Sequence, residues 1–209
     1  MSDEGSSRVV FLVDDDEPSR ISIGLLIKSM GLEVQSYKSA EEFLAAYQVG
    51  HRGCLVTDLR MMGMSGLELL ERIARLEFPL PTVVVTAYAR TPHTVRAVKA
   101  GAVTVLEKPY KDDELWDAVR LALAEETRAY SVYQRRQEIR SRLARLTVDE
   151  GRVMEHILQG VPNKAIAQSY GISVRTVESR RRAIFSKMQA GSLPELVRMA
   201  IAVGILAGS

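Results

Sequence analysis

Cys54-Leu55-Val56-Thr57-Asp58 decides the fold. A short apolar and β-branched run that ends on a carboxylate reads as a buried strand delivering Asp58 at its carboxyl end. The pattern recurs along the first half of the chain. Val9-Val10-Phe11-Leu12-Val13 ends on Asp14-Asp15, Thr82-Val83-Val84-Val85 ends on Thr86, and Val103-Thr104-Val105-Leu106 leads to Lys108-Pro109. Amphipathic helical stretches separate these runs, the alternation expected of a parallel sheet covered by helices. In an open parallel sheet, ligands bind outside the carboxyl ends of the strands. Three carboxylates, a hydroxyl and an ammonium would gather at that edge.

Outward from Asp58, helical periodicity predicts a first helix over 19–30 with Ile21, Leu25, Leu26 and Ile27 inward and Gly31 as its stop. A strand covers Glu33 to Tyr37. Ser39-Ala40-Glu41-Glu42 reads as a capping box for the next helix, with Phe43, Leu44 and Tyr47 inward. Further helices are expected from about Ser65 to Leu76 and Thr91 to Lys99. These make five strands and five helices, the last helix opening at Asp112. It lacks Gly and Pro from Lys111 to Glu150, so a helical connector reaching about Leu143 is favoured over a floppy linker. Thr147-Val148-Asp149-Glu150 is a second capping box. Asn163 and Ser173 are read as N-caps of two further helices, and Ser192-Leu193-Pro194-Glu195 opens the last.

The chain has 209 residues, 46% hydrophobic and 26% charged, ordinary for a soluble globular protein with a real core. No apolar stretch reaches membrane-spanning length, so no membrane partner is expected. The acidic, small-residue start lacks the pattern of a secretory signal. The lone Cys54 cannot form an internal disulfide and fits a reducing cytoplasm. His51, His93 and His156 show no metal-ligand spacing. The net charge of +2 hides an asymmetry: residues 1–126 carry 14 basic against 20 acidic side chains, residues 127–209 carry 14 against 6. An acidic half followed by a basic one suggests two domains, the second facing a polyanion.

An Asp carboxylate is a competent nucleophile toward an activated phosphoryl group. Carboxylates about 5 Å apart repel by roughly 3 kcal/mol at an effective dielectric near 20, so Asp14, Asp15 and Asp58 together favour a bound cation. Oxygen ligands and a phosphoryl partner point to Mg²⁺. Lys108 can neutralise phosphoryl oxygens and the Thr86 hydroxyl can hydrogen-bond one. Val13-Asp14-Asp15, Asp58 with Leu-Arg-Met-Met-Gly-Met-Ser-Gly after it, Thr86-Ala87 and Lys108-Pro109 resemble, in order and spacing, the receiver domain of bacterial two-component response regulators. The resemblance implies a flavodoxin-like, doubly wound α/β fold with five parallel strands in the order 2-1-3-4-5. It implies that a sensor histidine kinase phosphorylates Asp58. It further implies that Asp15 ligates Mg²⁺ directly, Asp14 partly through water, and the Arg60 backbone carbonyl completes the site together with Asp58. A cis Lys108-Pro109 bond is expected. Two departures stand out: Met62 replaces a usual Pro, and Val105 replaces the usual switch aromatic three residues before the Lys. Tyr88 is a candidate substitute for that switch.

In the basic half, Ile172-Ser173-Val174-Arg175-Thr176-Val177-Glu178 resembles the start of a LuxR-type recognition helix, and Ser192 to Ala200 resembles the FixJ subgroup. Periodicity independently gathers Val174, Val177, Ile184, Phe185 and Met188 into an apolar stripe, leaving Arg175, Glu178, Ser179, Arg182 and Ser186 outward. Glu178, Ser179 and Arg182 are assigned to base reading. Lys164, Arg175, Thr176, Arg180, Arg181 and Lys187 complete the DNA-binding set, the cations among them as phosphate contacts. Val148-Asp149 stands where Pro-Arg is common. The resemblance makes the last helix a dimerisation element through Leu196, Val197, Ala200 and Val203; packing within the domain is the equal alternative.

The expected organisation is a receiver over 8–125, a helical linker over 126–144 and an all-α, four-helix helix-turn-helix domain over 145–207. The expected protein is not an enzyme but a phosphorylation-controlled, DNA-binding transcriptional regulator, forming a homodimer on activation at a promoter, leaning to activation, with RNA polymerase a further partner. Two rivals are a phosphatase or phosphotransferase with an Asp nucleophile, which needs a substrate cap and general acid not found in the sequence, and a DNA-binding protein indifferent to phosphate.

Overall fold

The computed structural model describes residues 8–48, 50–87 and 91–206. Strands β1 (Val9–Val13), β2 (Glu33–Tyr37), β3 (Gly53–Thr57), β4 (Thr82–Thr86) and β5 (Ala102–Glu107) form one parallel sheet in the order β2-β1-β3-β4-β5. Helices α1 (Glu17–Ser29), α2 (Ala40–Ala46), α3 (Gly66–Ile73), α4 (Thr91–Lys99) and α5 (Asp112–Leu143) connect and follow the strands. Every residue of β3 and β4 is buried, which is why both read as continuous apolar runs rather than alternating ones. Edge strand β2 exposes Glu33, Gln35 and Ser36 and half-buries Val34 and Tyr37.

The pleat divides the core. Val10, Leu12, Cys54, Val56, Val83 and Val85 face one side, against Ile23 and Ile27 of α1 and Leu115, Val119 and Ala122 of α5. Phe11, Val13 and Leu55 face the other, against Phe43 of α2 and Leu69 and Ile73 of α3. Leu59, Leu70, Val84 and Ala97 extend that second layer toward α4. Burial pushes the Cys54 thiol up to about 12, aided by the negative charge of Glu126, so it stays protonated and inert at neutral pH.

Helix α1 departs from the sequence expectation. Ile21 and Leu25 are 55% and 63% exposed, whereas Ile23 and Ile27 fill the inward face. Gly24 lies on the same inward side, where a Cβ would meet Leu12 at 3.7 Å, an ordinary van der Waals contact. The helix also starts earlier, at Glu17, because Asp16 accepts the Ser19 amide and Pro18 occupies the first turn. The capping box at Ser39 is half formed: Ser39 accepts from the Glu42 amide, but the Glu42 carboxylate turns to the Lys38 amide instead of its own cap.

The chain divides into two compact units inside α5, between Ser131 and Val132. The helix runs unbroken through Thr127, as a connector without Gly or Pro should. Its Glu126 is fully buried and paired with Arg52 at 3.0 Å, while Arg8 approaches at 3.7 Å. The Arg52 guanidinium also lies 4.1 Å over the Tyr130 ring, which meets Phe78 edge-on. Glu126 and Tyr130 therefore belong to the first unit's packing, beyond the boundary at 125 expected from the sequence.

The second unit holds α6 (Val148–Leu158), α7 (Asn163–Tyr170), α8 (Val174–Met188) and α9 (Leu193–Ala202) around Val153, Ile157, Ile166, Val177, Ile184 and Leu196, joined by Ile139 of α5. Thr147 and Glu150 close a complete capping box on α6. At α7 the N-cap is Pro162 with no side-chain cap, and Asn163 is the first helical residue rather than the cap. Ser173 caps α8 as expected.

Arg52→Ala leaves the Glu126 carboxylate buried without its main partner. We expect a loss of about 3–5 kcal/mol in unfolding free energy, measured by urea denaturation; a change within about 0.5 kcal/mol, the range of ordinary surface substitutions, would show that the pair is not a structural tie.

Candidate functional site

The parallel ladder continues one step past the strands and carries the polar residues with it. The Asp58 amide donates to the Val13 carbonyl at 3.2 Å, Asp14 to Tyr37 at 3.3 Å, and Lys108 to Thr86 at 2.9 Å. Asp14, Asp58, Thr86 and Lys108 thus have their backbones fixed at one sheet edge. Gly66 tightens the edge further. A Cβ on it would stand 1.8 Å from the Asp58 carbonyl oxygen, so only glycine lets α3 start directly against Asp58.

Lys108 is the centre of the pocket. Its ammonium lies 3.2 Å from Asp14 Oδ2, 3.5 Å from Asp58 Oδ2 and 2.7 Å from Ser19 Oγ. The Ser19 hydroxyl donates to Asp14 Oδ2 at 2.7 Å, and the Asp16 amide donates to Asp14 Oδ1 at 2.9 Å. Asp14 is thereby saturated, at 1% exposure. Asp58 keeps 15% of its side chain open and, among the described residues, accepts the Arg60 amide on Oδ1, at 3.1 Å, besides meeting Lys108. Asp14 is thus closed off, whereas Asp58 is partly open beside the Lys108 ammonium. Asp15 is exposed and accepts the Met62 amide at 2.8 Å. Lys108-Pro109 is cis. Behind it, burial raises the pKa of the Tyr110 hydroxyl, with the Asp14 charge adding to the effect, so this phenol stays protonated.

Thr86 ends β4 fully buried. Val105 packs, half-buried, beside Leu59, Leu70 and Val84. Tyr88 lies outside the described residues. Among the described residues, no three His, Cys, Asp or Glu side chains are arranged to hold a metal ion. Asp14 and Asp58 share the Lys108 ammonium while Asp15 is turned to the Met62 amide, so the three carboxylates do not converge on one point in this conformation. Their chemistry, hard oxygen donors on two adjacent loops, still suits Mg²⁺.

The second unit presents α8 as a two-sided helix. Val177, Ile184 and Met188 are buried; Arg175, Glu178, Ser179, Arg182 and Ser186 are exposed on the opposite side. Val174, expected in the stripe, is 41% exposed at the helix start. Arg180 pairs with Asp149 and Lys187 with Glu150, both reaching α6, and Arg181 lies over the Phe185 ring. Lys164 is exposed at the start of α7, and the Thr176 and Ser173 hydroxyls share a hydrogen bond.

The Response regulator receiver domain family matches residues 10–120, and the family of bacterial regulatory proteins of the luxR type matches residues 144–200. The transcriptional regulatory protein FixJ of Rhizobium meliloti (strain 1021) is 42% identical over 195 residues, covering 93% of this chain and 96% of that protein. The chain belongs to the two-component response regulators. The solved structure of the response regulator StyR superposes with a TM-score of 0.74 at 35% identity, covering 93% of this chain and 98% of that one. Full-length FixJ from B. japonicum gives 0.55 at 38% identity, covering 97% and 100%.

This response regulator therefore combines a receiver with a LuxR-type, FixJ-like DNA-binding domain. No helix among its described residues is long and apolar enough to cross a membrane. Receivers generally bind Mg²⁺. Two of its pocket residues escape sequence reading. Ser19 carries no motif; only its place in the first turn of α1, five residues after Asp14, brings it to Lys108. Gly66 looks like any turn glycine until its approach to Asp58 is seen. Along α9, Leu196 and Ala200 are 0% and 2% exposed and packed in their own domain's core. They are not free to meet a partner in this conformation. Val203 also packs there in part, while Val197 is half-open and Ile201 is 41% exposed.

Glu150 joins fold and site. The Lys187 ammonium, then the Thr147 amide, hold its carboxyl below the usual glutamate range. A depressed folded-state pKa adds stability that is fully present above the ordinary value and lost as pH falls through the lowered one. Glu150→Gln should lower the melting temperature at neutral pH, and the deficit should shrink once the pH drops below about 4. Thermal melts of both proteins across acid pH measure this; a deficit independent of pH refutes it.

Proposed function

We propose that a sensor histidine kinase phosphorylates Asp58 and that the modification controls dimerisation and promoter binding, most simply to activate transcription. The observation that carries this reading is the Asp58 carboxylate, open to a reactant yet 3.5 Å from the Lys108 ammonium. In the transfer, the phosphorus–nitrogen bond of a phosphohistidine breaks, a phosphorus–oxygen bond to Asp58 forms, and the imidazole leaves with a proton. Asp58 attacks, Lys108 holds the phosphoryl oxygens, and the Thr86 hydroxyl takes one of them. Asp15, Asp58 and the Arg60 carbonyl would hold Mg²⁺, with Asp14 acting partly through water. The ion would supply positive charge against the anionic oxygens.

The output surface in this reading is the face of α4 and β5. Val95 and Val98 of α4 are 43% and 55% exposed, a patch suited to a second receiver. Thr86 and Val105 end and line the strands beneath it, and Tyr88 follows Thr86 in sequence. Phosphate adds charge at Asp58 and shifts the population toward a conformer with that face repacked. On DNA, Glu178, Ser179 and Arg182 read bases and Lys164 and Arg175 hold phosphates. Dimer contacts fall to the open side of α9, where Val197 stands with Ile201.

Phosphodonor treatment of the wild-type protein should raise promoter occupancy and transcription, and Asp58→Asn should abolish that response. Genome-wide occupancy with and without an acyl phosphate measures it. Equal occupancy and equal transcription in both states would favour a phosphate-independent DNA-binding protein instead.

The kinase partner has a surface of its own to meet. Ile21 and Leu25, one turn apart on α1 beside the pocket, form an exposed apolar pair. Ile21→Asp with Leu25→Asp should slow phosphotransfer from the kinase at least tenfold, a loss of about 1.4 kcal/mol, while leaving acyl-phosphate labelling of Asp58 unchanged. Equal slowing with both donors would mean damage to the pocket rather than to docking.

A further inference from the structure

The cations of α8 occupy two settings. Arg175 and Arg182 stand exposed on the outer face. Arg180 lies on the flank, three residues after buried Val177 and four before buried Ile184, and its guanidinium reaches across to the Asp149 carboxylate in the first turn of α6. The two side chains are 27% and 54% exposed. A pair this open is weak and screened by salt, so a competing anion can displace its acidic member.

The neighbouring pair differs. Glu150 is 10% exposed at its side chain, holds Lys187, and accepts the Thr147 amide as part of the capping box. Its role is to join α6 and α8. Asp149 takes no part in that box, whose amide bond runs from Glu150 to Thr147. Its carboxylate sits at the rim of the helix that faces DNA, where a negative charge opposes phosphate.

We propose that Asp149 sets the affinity of this protein for DNA by competing with a backbone phosphate for Arg180. The proposal rests on α8 being the DNA-facing helix. While Asp149 holds Arg180, that cation contributes little to counterion release, and binding must exchange one anion for another. Arg180 is then a conditional phosphate contact, and Asp149 lowers affinity for every sequence alike, since phosphates carry no base information.

The test uses the full-length protein and a random-sequence DNA duplex, with affinity followed by fluorescence anisotropy over a salt series. Asp149→Asn should bind roughly fivefold tighter at low salt, the scale of one exposed ion pair, and its log–log salt slope should steepen by about one, the value for one added phosphate contact. Asp149→Ser should behave likewise and guards against a peculiarity of Asn. In an Arg180→Ala background the gain should vanish, a coupling that a general loss of negative charge would not produce. Unchanged or weaker binding by both Asp149 variants overturns the proposal, as does a gain that persists without Arg180. Absence of salt-dependent binding by the wild type and every variant would instead overturn the DNA-facing reading of α8 on which the proposal rests.

Discussion

Lys108 holds one ammonium between two carboxylates, and the sheet edge depends on that neutralisation. Asp14 and Asp58 close adjacent parallel strands, so the topology forces their charges together. Without a cation, several kilocalories per mole of repulsion would oppose the same ladder that seats them. The backbone carbonyl of Thr86 fixes the Lys108 amide, and Ser19 fixes the ammonium from the other side. The result is an asymmetric pair of acids. Asp14 is saturated and buried, and Asp58 is left open. That asymmetry leaves Asp58, of the two, partly open beside the ammonium.

The opposite end of the same sheet carries a second charge pair with another role. Arg52 and Glu126 are buried together, with the Arg52 guanidinium over the Tyr130 ring, which in turn meets Phe78. A buried pair of this kind adds little net stability over an apolar alternative, but it is costly to break. It therefore holds α5 in one register on the first unit. The same helix later contributes Ile139 to the core of the second. In the basic unit, charge pairs again do more than neutralise. Glu150 ties α6 to α8 through Lys187, and its neighbour Asp149 pairs with Arg180 on the flank of α8.

Much of this was legible in the sequence. The four strand-ending runs predict both the sheet and the residues at its edge, because a fully buried parallel strand must be apolar along its length and polar where it leaves the core. The unbroken α5 follows from forty residues without Gly or Pro. Helix phase was harder to read. With Ile21, Ile23, Leu25 and Ile27 all apolar, α1 has two candidate inward faces, and only the packing of Ile23 and Ile27 into the core decides between them. In α9 the apolar residues surround most of the helix, so their pattern could not separate Leu196 and Ala200, which pack inward, from Val197 and Ile201, which do not.

By itself the sequence determined the two-unit organisation, the parallel sheet and the set of chemical groups at its edge, since each depends on local periodicity and on where a strand stops. Only the tertiary structure decided how those groups divide their contacts. That Ser19 joins Lys108, that Gly66 seats α3 on Asp58, that Glu126 finds Arg52 across 74 residues and that Asp149 meets Arg180 across 31 are outcomes of packing between distant segments. A side chain's partner is fixed by which surfaces meet in space, and no local pattern along the chain encodes that meeting.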